Sequence, residues 1–86
     1  KVATFCGGGS GTALAMVRSG KTDADLIVSA DIPHHIILEL LERGKAVLEL
    51  THYSAEIIGF KAFANEVVKA TNGDLQTVFF EDRRFM

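Results

Sequence analysis

The sequence predicts an α/β fold with a mostly parallel sheet of about four strands that alternate with helices. Short apolar stretches alternate with longer stretches of helical periodicity, a pattern typical of βαβ units. A glycine directly follows each of the first two helical stretches, the position that glycine favours after a last helical turn. The 86 residues suffice for one domain at most. We therefore expect residues 1–86 to form a single α/β domain.

Local signals predict where each element begins and ends. Gly20 and Gly44 end the first two helices. Asp31 is the expected N-cap of the second helix, and Pro33 suits its first turn because the missing N–H needs no partner there. The predicted strands are residues 2–6, 26–28, 46–50 and 75–80, and the predicted helices cover residues 12–19, from the Asp31 cap to residue 43, and 54–70.

The third predicted helix carries apolar residues at helical spacing, which indicates one buried face. These residues are Ile57, Phe60, Ala64, Val67 and Val68. The chain as a whole is 48% hydrophobic, and a domain this small buries only about 60% of its unfolded surface. We therefore expect part of the apolar surface to meet a partner, either a missing domain or another subunit.

Composition excludes several classes of function. The nine basic and eleven acidic residues are mixed along the chain and give a net charge of −2, so no basic stripe indicates a nucleic-acid partner. No signal peptide is visible, and no apolar run approaches the roughly 20 residues of a membrane span. The single cysteine, Cys6, lies in a predicted apolar strand and cannot form a disulfide framework. We expect a cytoplasmic protein without a membrane partner.

The three turns that lead from a strand to a helix hold the polar residues of interest. In a parallel arrangement these turns share the edge of the sheet where α/β proteins bind ligands. They comprise residues 7–11, 31–35 and 51–56, and they contain all three histidines of the chain.

His52 and Glu56 are the leading candidates for metal ligands. Residues four apart on a helix have Cβ atoms about 5–6 Å apart on one face. An imidazole nitrogen and a carboxylate oxygen can then reach one ion at roughly 2.0–2.2 Å. The alternative is an ordinary solvated pair at a helix start, because this spacing also occurs by chance.

The other polar residues of the turns have competing interpretations. His34 and His35 point about 100° apart on a helix, so one can face a cleft while the other packs or faces solvent. Asp31 is first of all a helix cap, with a polar role in the cleft as an addition. Tyr53 lies beside His52 and is placed to line a pocket.

The glycine run before the first helix offers bare backbone N–H groups that could cradle an anion. It lacks the Lys-Ser/Thr ending of a P-loop and does not fit Gly-x-Gly-x-x-Gly. The alternative is a tight turn that lets strand and helix pack closely. The predicted substrate- or anion-binding residues are Gly8, Gly9, Ser10, Gly11, Asp31, His34 and Tyr53.

Three segments, taken in order, carry a family resemblance. They are Cys-Gly-Gly-Gly-Ser-Gly at residues 6–11, Ser-Ala-Asp-Ile-Pro-His-His at residues 29–35 and Thr-His-Tyr-Ser-Ala-Glu at residues 51–56. Over residues 2–80 the chain resembles the C-terminal part of the NGG-interacting-factor-three-like family, also named GTP cyclohydrolase I type 2. The chain begins at Lys1 just before a strand, so we expect a C-terminal fragment, half of a larger α/β protein.

The resemblance implies a site with two divalent metal ions per full-length chain, of zinc, manganese, iron or nickel. His52 and Glu56 match the family's C-terminal ligands, while the remaining ligands belong to the missing N-terminal part. Asp31 and His35 match a segment that lines the cleft, and His34 fits variants of it. Ala30, Thr51 and Ala55 depart from the family's usual residues without removing a ligand.

Three functions remain open, one of them a small anion- or nucleotide-binding module without metal. The first is a metal-dependent hydrolase acting on a phosphate-bearing or nucleotide substrate, with His35 as the candidate catalytic residue for proton transfer. The second is a non-catalytic metal-binding scaffold or regulatory interaction protein, which the resemblance implies to be a homo-oligomer. In either case the fragment alone is not expected to be active, because two ligands are too few for a complete site.

Overall fold

The computed structural model describes residues 1–85 as a parallel three-stranded sheet with three helices. The strands β1 (Val2–Thr4), β2 (Leu26–Ala30) and β3 (Ala46–Leu50) lie in the order β1-β2-β3. The helices are α1 (Ser10–Arg18), α2 (His34–Glu42) and α3 (His52–Ala70), followed by a 3₁₀ turn at Arg83–Phe85. The predicted α/β class and parallel sheet are confirmed.

The predicted fourth strand is wrong, because residues 75–80 pack along α3 instead of joining the sheet. The ring of Phe79 lies 6.0 Å from that of Phe60. The backbone N–H of Asp82 donates a 2.6 Å hydrogen bond to the hydroxyl of Tyr53. Phe79 therefore contacts a helix, and a strand-like sequence pattern alone does not distinguish this from contact with a sheet.

The core lies between one face of the sheet and the helices α1 and α2. Ile27 of β2 and Leu40 of α2 are fully buried there, together with Ala13 of α1. Consecutive parallel strands with right-handed crossovers place both helices on one face, and α1 and α2 pack against each other. Arg18 of α1 joins them by ion pairing with Glu39 of α2.

The opposite face of the sheet is more open. Val2 is 62% exposed and Leu48 is 48% exposed. Of the predicted apolar face of α3, only Ile57 is buried, and Phe60 is 61% exposed. The prediction of one continuous buried face was therefore wrong, because α3 contacts the sheet chiefly at β2 and extends beyond it. Among residues 1–85, none of the helices combines the length and the hydropathy that a membrane crossing needs.

Asp31 does not cap α2, contrary to the sequence prediction. The residue before the helix is Pro33, and no side chain caps this terminus. Asp31 has a φ of +49°, in the left-handed region that aspartate tolerates better than most residues. Its carboxylate is bonded elsewhere, as the site geometry explains.

Candidate metal centre

The site is built where β1, β2 and β3 run into the turns that follow them. Thr51 begins α3 as its N-cap, and its side-chain oxygen accepts a 3.2 Å hydrogen bond from the N–H of Ser54. The helix therefore starts at His52, two residues earlier than predicted, because threonine is a strong N-cap. This cap places His52 and Glu56 in the first two turns of α3.

His52 lies between two carboxylates. Its Nδ1 is 2.5 Å from Oδ2 of Asp31, and its Nε2 is 3.0 Å from Oε1 of Glu56. Each ring nitrogen thus faces a different carboxylate. The three side chains are each about half exposed, at 49% for His52, 64% for Asp31 and 48% for Glu56, so solvent and ligands can reach them.

The two carboxylates raise the pKa of His52 above its ordinary value of 6.5. The largest cause is the hydrogen bond to Asp31, and the second is the negative charge of Glu56. Both interactions favour the imidazolium. A cation bound between Nε2 of His52 and Glu56 would have to displace the proton that Nε2 carries in the imidazolium.

Gly7 provides the backbone surface against which His52 and Glu56 lie. Its φ is +58°, and a Cβ at this position would lie 3.3 Å from Nε2 of His52 and would overlap Oε1 of Glu56. The Gly7 carbonyl accepts hydrogen bonds from the N–H of Ala30, at 2.9 Å, and from the hydroxyl of Ser29, at 3.1 Å. Glycine suits this position because its φ lies in the left-handed region, and a Cβ here would displace the Glu56 carboxylate.

The side chains of this cluster can supply two ligands to one metal ion and no more. Two atoms that bind one ion at roughly 2.0–2.2 Å with an angle near 90–110° lie about 3.0–3.5 Å apart, and the 3.0 Å between Nε2 and Oε1 agrees with this spacing. The Asp31 carboxylate contacts Nδ1, the other ring nitrogen of His52. In this arrangement it cannot bind the ion that Nε2 would bind. Accordingly, residues 1–85 contain no group of three or more His, Cys, Asp or Glu side chains arranged to hold a metal.

Comparison with known proteins identifies the family. The model of the DUF34/NIF3 (NGG1p interacting factor 3) family matches residues 1–84. The chain belongs to the DUF34/NIF3 family. The resemblance stated from the sequence motifs is thereby confirmed.

The chain is also similar to the GTP cyclohydrolase 1 type 2 homolog of Methanocaldococcus jannaschii. It is 31% identical over 70 residues, which cover 81% of this chain and 28% of the relative. The chain thus aligns with less than a third of that protein's length. No solved structure matches the chain significantly.

The remaining predicted site residues of this DUF34/NIF3 chain lie around the cluster in different ways. His34 and His35 are exposed at the first two positions of α2. Within residues 1–85, neither histidine has a hydrogen bond or ion pair to His52 or Glu56. Tyr53 is half-buried, and its hydroxyl accepts the hydrogen bond from Asp82.

The glycine run divides into packing positions and open positions. A Cβ at Gly9 would lie 2.8 Å from Cβ of Phe5, so this glycine permits the close packing of a tight turn. A Cβ at Gly8 or at Gly11 would meet nothing within 4 Å, whereas Ser10 is only 3% exposed. The open positions leave room for a ligand, whereas Ser10 belongs to the packed base of α1.

Sequence reasoning missed Gly7 and did not find the partner of Asp31. The signal for Gly7 was its place as the first glycine after β1, where the chain turns towards the site. Cys6 was predicted to be a buried strand residue, but it lies beyond β1 and is exposed. Its thiol faces the carbonyl of Ala55 at 3.8 Å, which brings the glycine turn against the start of α3.

An open groove lies next to the cluster, between the exposed face of the sheet and the start of α3. Its volume is about 300 Å³. The lining is mainly apolar and includes Val28, Leu50 and Ile58; its polar members are Thr4, Cys6, Ser29 and Ser54. The groove gives a bound molecule an apolar wall beside the polar cluster.

Proposed function

We propose that this chain is the C-terminal part of a dinuclear metal-binding protein, in which Nε2 of His52 and the carboxylate of Glu56 are two of the metal ligands. The observation that carries the proposal is the 3.0 Å pairing of these two atoms in the first turns of α3, against the bare backbone of Gly7. Membership of the DUF34/NIF3 family supports it. The remaining ligands would come from the N-terminal part of the same protein.

The activity that we propose for the complete protein is metal-dependent hydrolysis of a phosphate-bearing or nucleotide substrate. The relative from M. jannaschii is named as a GTP cyclohydrolase homolog, which supports a nucleotide substrate. Bound divalent ions supply Lewis-acid polarisation of a substrate oxygen and lower the pKa of water. In this chain, His52 and Glu56 would hold the metal ions, the amides of Gly8 and Gly11 would contact the anion, and His35 would transfer a proton.

The metal proposal is tested by elemental analysis of the intact protein and of single variants. We expect two divalent ions per chain in the wild type, and fewer after His52→Ala or Glu56→Gln. Glu66→Gln is the matched control, because Glu66 lies on the same helix but is paired with Lys69. An unchanged ion count in both site variants would exclude His52 and Glu56 as ligands.

A panel of phosphate esters and nucleoside triphosphates tests hydrolysis. We expect metal-dependent turnover of at least one of them by the wild type, and its loss in Glu56→Gln. The second candidate function is a non-catalytic oligomeric scaffold, which the exposure of Ile58 (78%) and Phe63 (64%) favours. Bound metal without turnover of any substrate, in a stable homo-oligomer, would favour the scaffold.

A further inference from the structure

Asp31 makes a contact that the proposed ligand pair does not explain. Its carboxylate meets Nδ1 of His52 at 2.5 Å, on the side of the ring opposite Glu56. It neither caps α2 nor competes with Glu56 for the same nitrogen. A carboxylate that is held on the non-ligating nitrogen of a histidine fixes the tautomer and the orientation of the ring.

The backbone on both sides of Asp31 is anchored. Before it, the N–H of Ala30 donates to the carbonyl of Gly7 at 2.9 Å. After it, the N–H of Ile32 donates to Oε2 of Glu49 at 2.8 Å. Asp31 itself adopts the left-handed conformation, with a φ of +49°. The end of β2 therefore holds this carboxylate in place instead of leaving it on a free loop.

We propose that Asp31 is a positioning residue, which keeps the hydrogen on Nδ1 of His52 and leaves Nε2 as the nitrogen that binds metal. The inference rests on the proposed metal-binding function, since Nε2 needs positioning only if it is a ligand. Asp31 does not itself bind the ion that His52 and Glu56 share. The structural reason is that its carboxylate and the Glu56 carboxylate lie at opposite nitrogens of one ring.

The same hydrogen bond has two effects on His52. With its hydrogen on Nδ1 donated to Asp31, the neutral ring presents the Nε2 lone pair towards Glu56 and Gly7. The negative charge of Asp31 also makes the imidazole a stronger donor of electron density to a cation. Loss of such a partner typically weakens metal affinity about 10–100-fold, while the number of ligands stays the same.

The first test measures metal affinity and stoichiometry by chelator competition with Zn²⁺ on the intact protein. Asp31→Gly removes the carboxylate at a backbone conformation that glycine tolerates, and Asp31→Asn keeps an oxygen acceptor there. We expect an unchanged number of bound ions, with the Kd of one site raised about 10–100-fold in Asp31→Gly and less in Asp31→Asn. Asp74→Asn, an exposed aspartate in the turn after α3, should bind as the wild type does.

The second test reads the tautomer of His52 directly in the metal-free protein. Long-range ¹H–¹⁵N correlation at alkaline pH, where the ring is neutral, should show the hydrogen on Nδ1 in the wild type. We expect Asp31→Gly to lose this preference. Circular dichroism of each variant verifies that the fold is intact.

The outcomes separate this inference from the proposed function. If Asp31→Gly lowers the ion count as His52→Ala does, Asp31 is a ligand and the positioning role is overturned. Unchanged affinity together with an unchanged tautomer overturns it as well. If the wild type binds no metal, the proposed function fails, and the tautomer measurement still decides whether Asp31 orients His52.

Discussion

The carboxylate of Asp31 lies 2.5 Å from Nδ1 of His52, although 21 residues separate them in the chain. This contact joins the end of β2 to the first residue of α3. On the other side of the same ring, Glu56 lies one helical turn further along α3. The turns after β2 and β3 therefore meet at a single imidazole, and the glycine turn after β1 closes the third side.

Gly7→Ala should disturb this cluster more than a glycine substitution elsewhere. The new Cβ would occupy the position of the Glu56 carboxylate, and the φ of +58° strains a residue with a side chain. We expect a loss of about 1 kcal/mol or more in the free energy of unfolding, together with weaker metal binding. Urea denaturation and Zn²⁺ titration measure the two effects.

Gly59→Ala is the matched control for this substitution. Gly59 lies within α3, and a Cβ there would meet nothing within 4 Å. Alanine is the better helix former by about 1 kcal/mol, so the control should be neutral or slightly stabilising. Equal behaviour of the two variants would contradict the close approach of Gly7 to Glu56.

Leu40→Ala should strongly destabilise the protein. Leu40 is fully buried between α2 and the sheet. Replacing a buried leucine by alanine typically costs about 2–5 kcal/mol because a cavity remains. Its neighbour Leu41 is 51% exposed, and Leu41→Ala should change stability by about 0.5 kcal/mol at most. Urea denaturation of the pair provides the comparison, and similar losses in both would mean that α2 is rotated from its described position.

The ion pairs of Glu39 predict a pH dependence of stability. The hydrogen bond from Arg18 is the main cause that lowers the pKa of Glu39 from 4.5 to about 2, and Arg43 adds to it. Because the folded pKa is below the unfolded one, the stabilisation is complete above about pH 4.5 and is lost as the pH falls towards 2.

Denaturation curves of the wild type and Glu39→Gln at several pH values measure this effect. The difference in the free energy of unfolding should be largest near neutral pH and should shrink as the pH falls below 4.5. Glu42→Gln, an exposed neighbour on the same helix, is the control and should follow the wild type. A difference that does not vary with pH would show that Glu39 contributes by packing alone.

Tyr53→Phe should loosen the segment that runs back along α3. The substitution removes the oxygen that accepts the 2.6 Å hydrogen bond from the N–H of Asp82. A hydrogen bond contributes about 0.5–1.5 kcal/mol net, so amide exchange at Asp82 should become about 2–10-fold faster. The amide of Ile27 in the core is the internal control. Unchanged exchange at Asp82 would mean that the contact of Phe79 with Phe60 holds the segment by itself.

The fold class and the position of the His52–Glu56 pair at the start of a helix could be predicted from the sequence, because both depend on local patterns. The alternation of apolar strands with helices predicted the parallel sheet, and β3 has the predicted bounds Ala46–Leu50. The contacts that complete the cluster depend on long-range packing. The role of Asp31 in particular follows from its left-handed backbone and from the distant His52, and capping was the stronger local signal.

The apolar segment at residues 75–80 is a second case in which local sequence patterns could not predict a long-range contact. Its composition suits a strand, but whether it joins a sheet or lies on a helix depends on which surface is available. In this chain the ring of Phe79 packs against the ring of Phe60 on α3. Local propensity does not distinguish the two arrangements, since the same apolar side chain can be buried against a sheet or against a helix.

The position of the cluster also determines when it can form during folding. Each neighbouring strand pair is closed by its own βαβ unit, whereas the contact of Cys6 with Ala55 spans 49 residues. Long-range contacts of this kind carry the larger loop-closure entropy. In a chain synthesised from its N-terminus, the first turn of α3 emerges only after the sheet is complete. We therefore expect the cluster to assemble after the three strands have paired, and a ligand bound there would select the folded sheet over partly folded states.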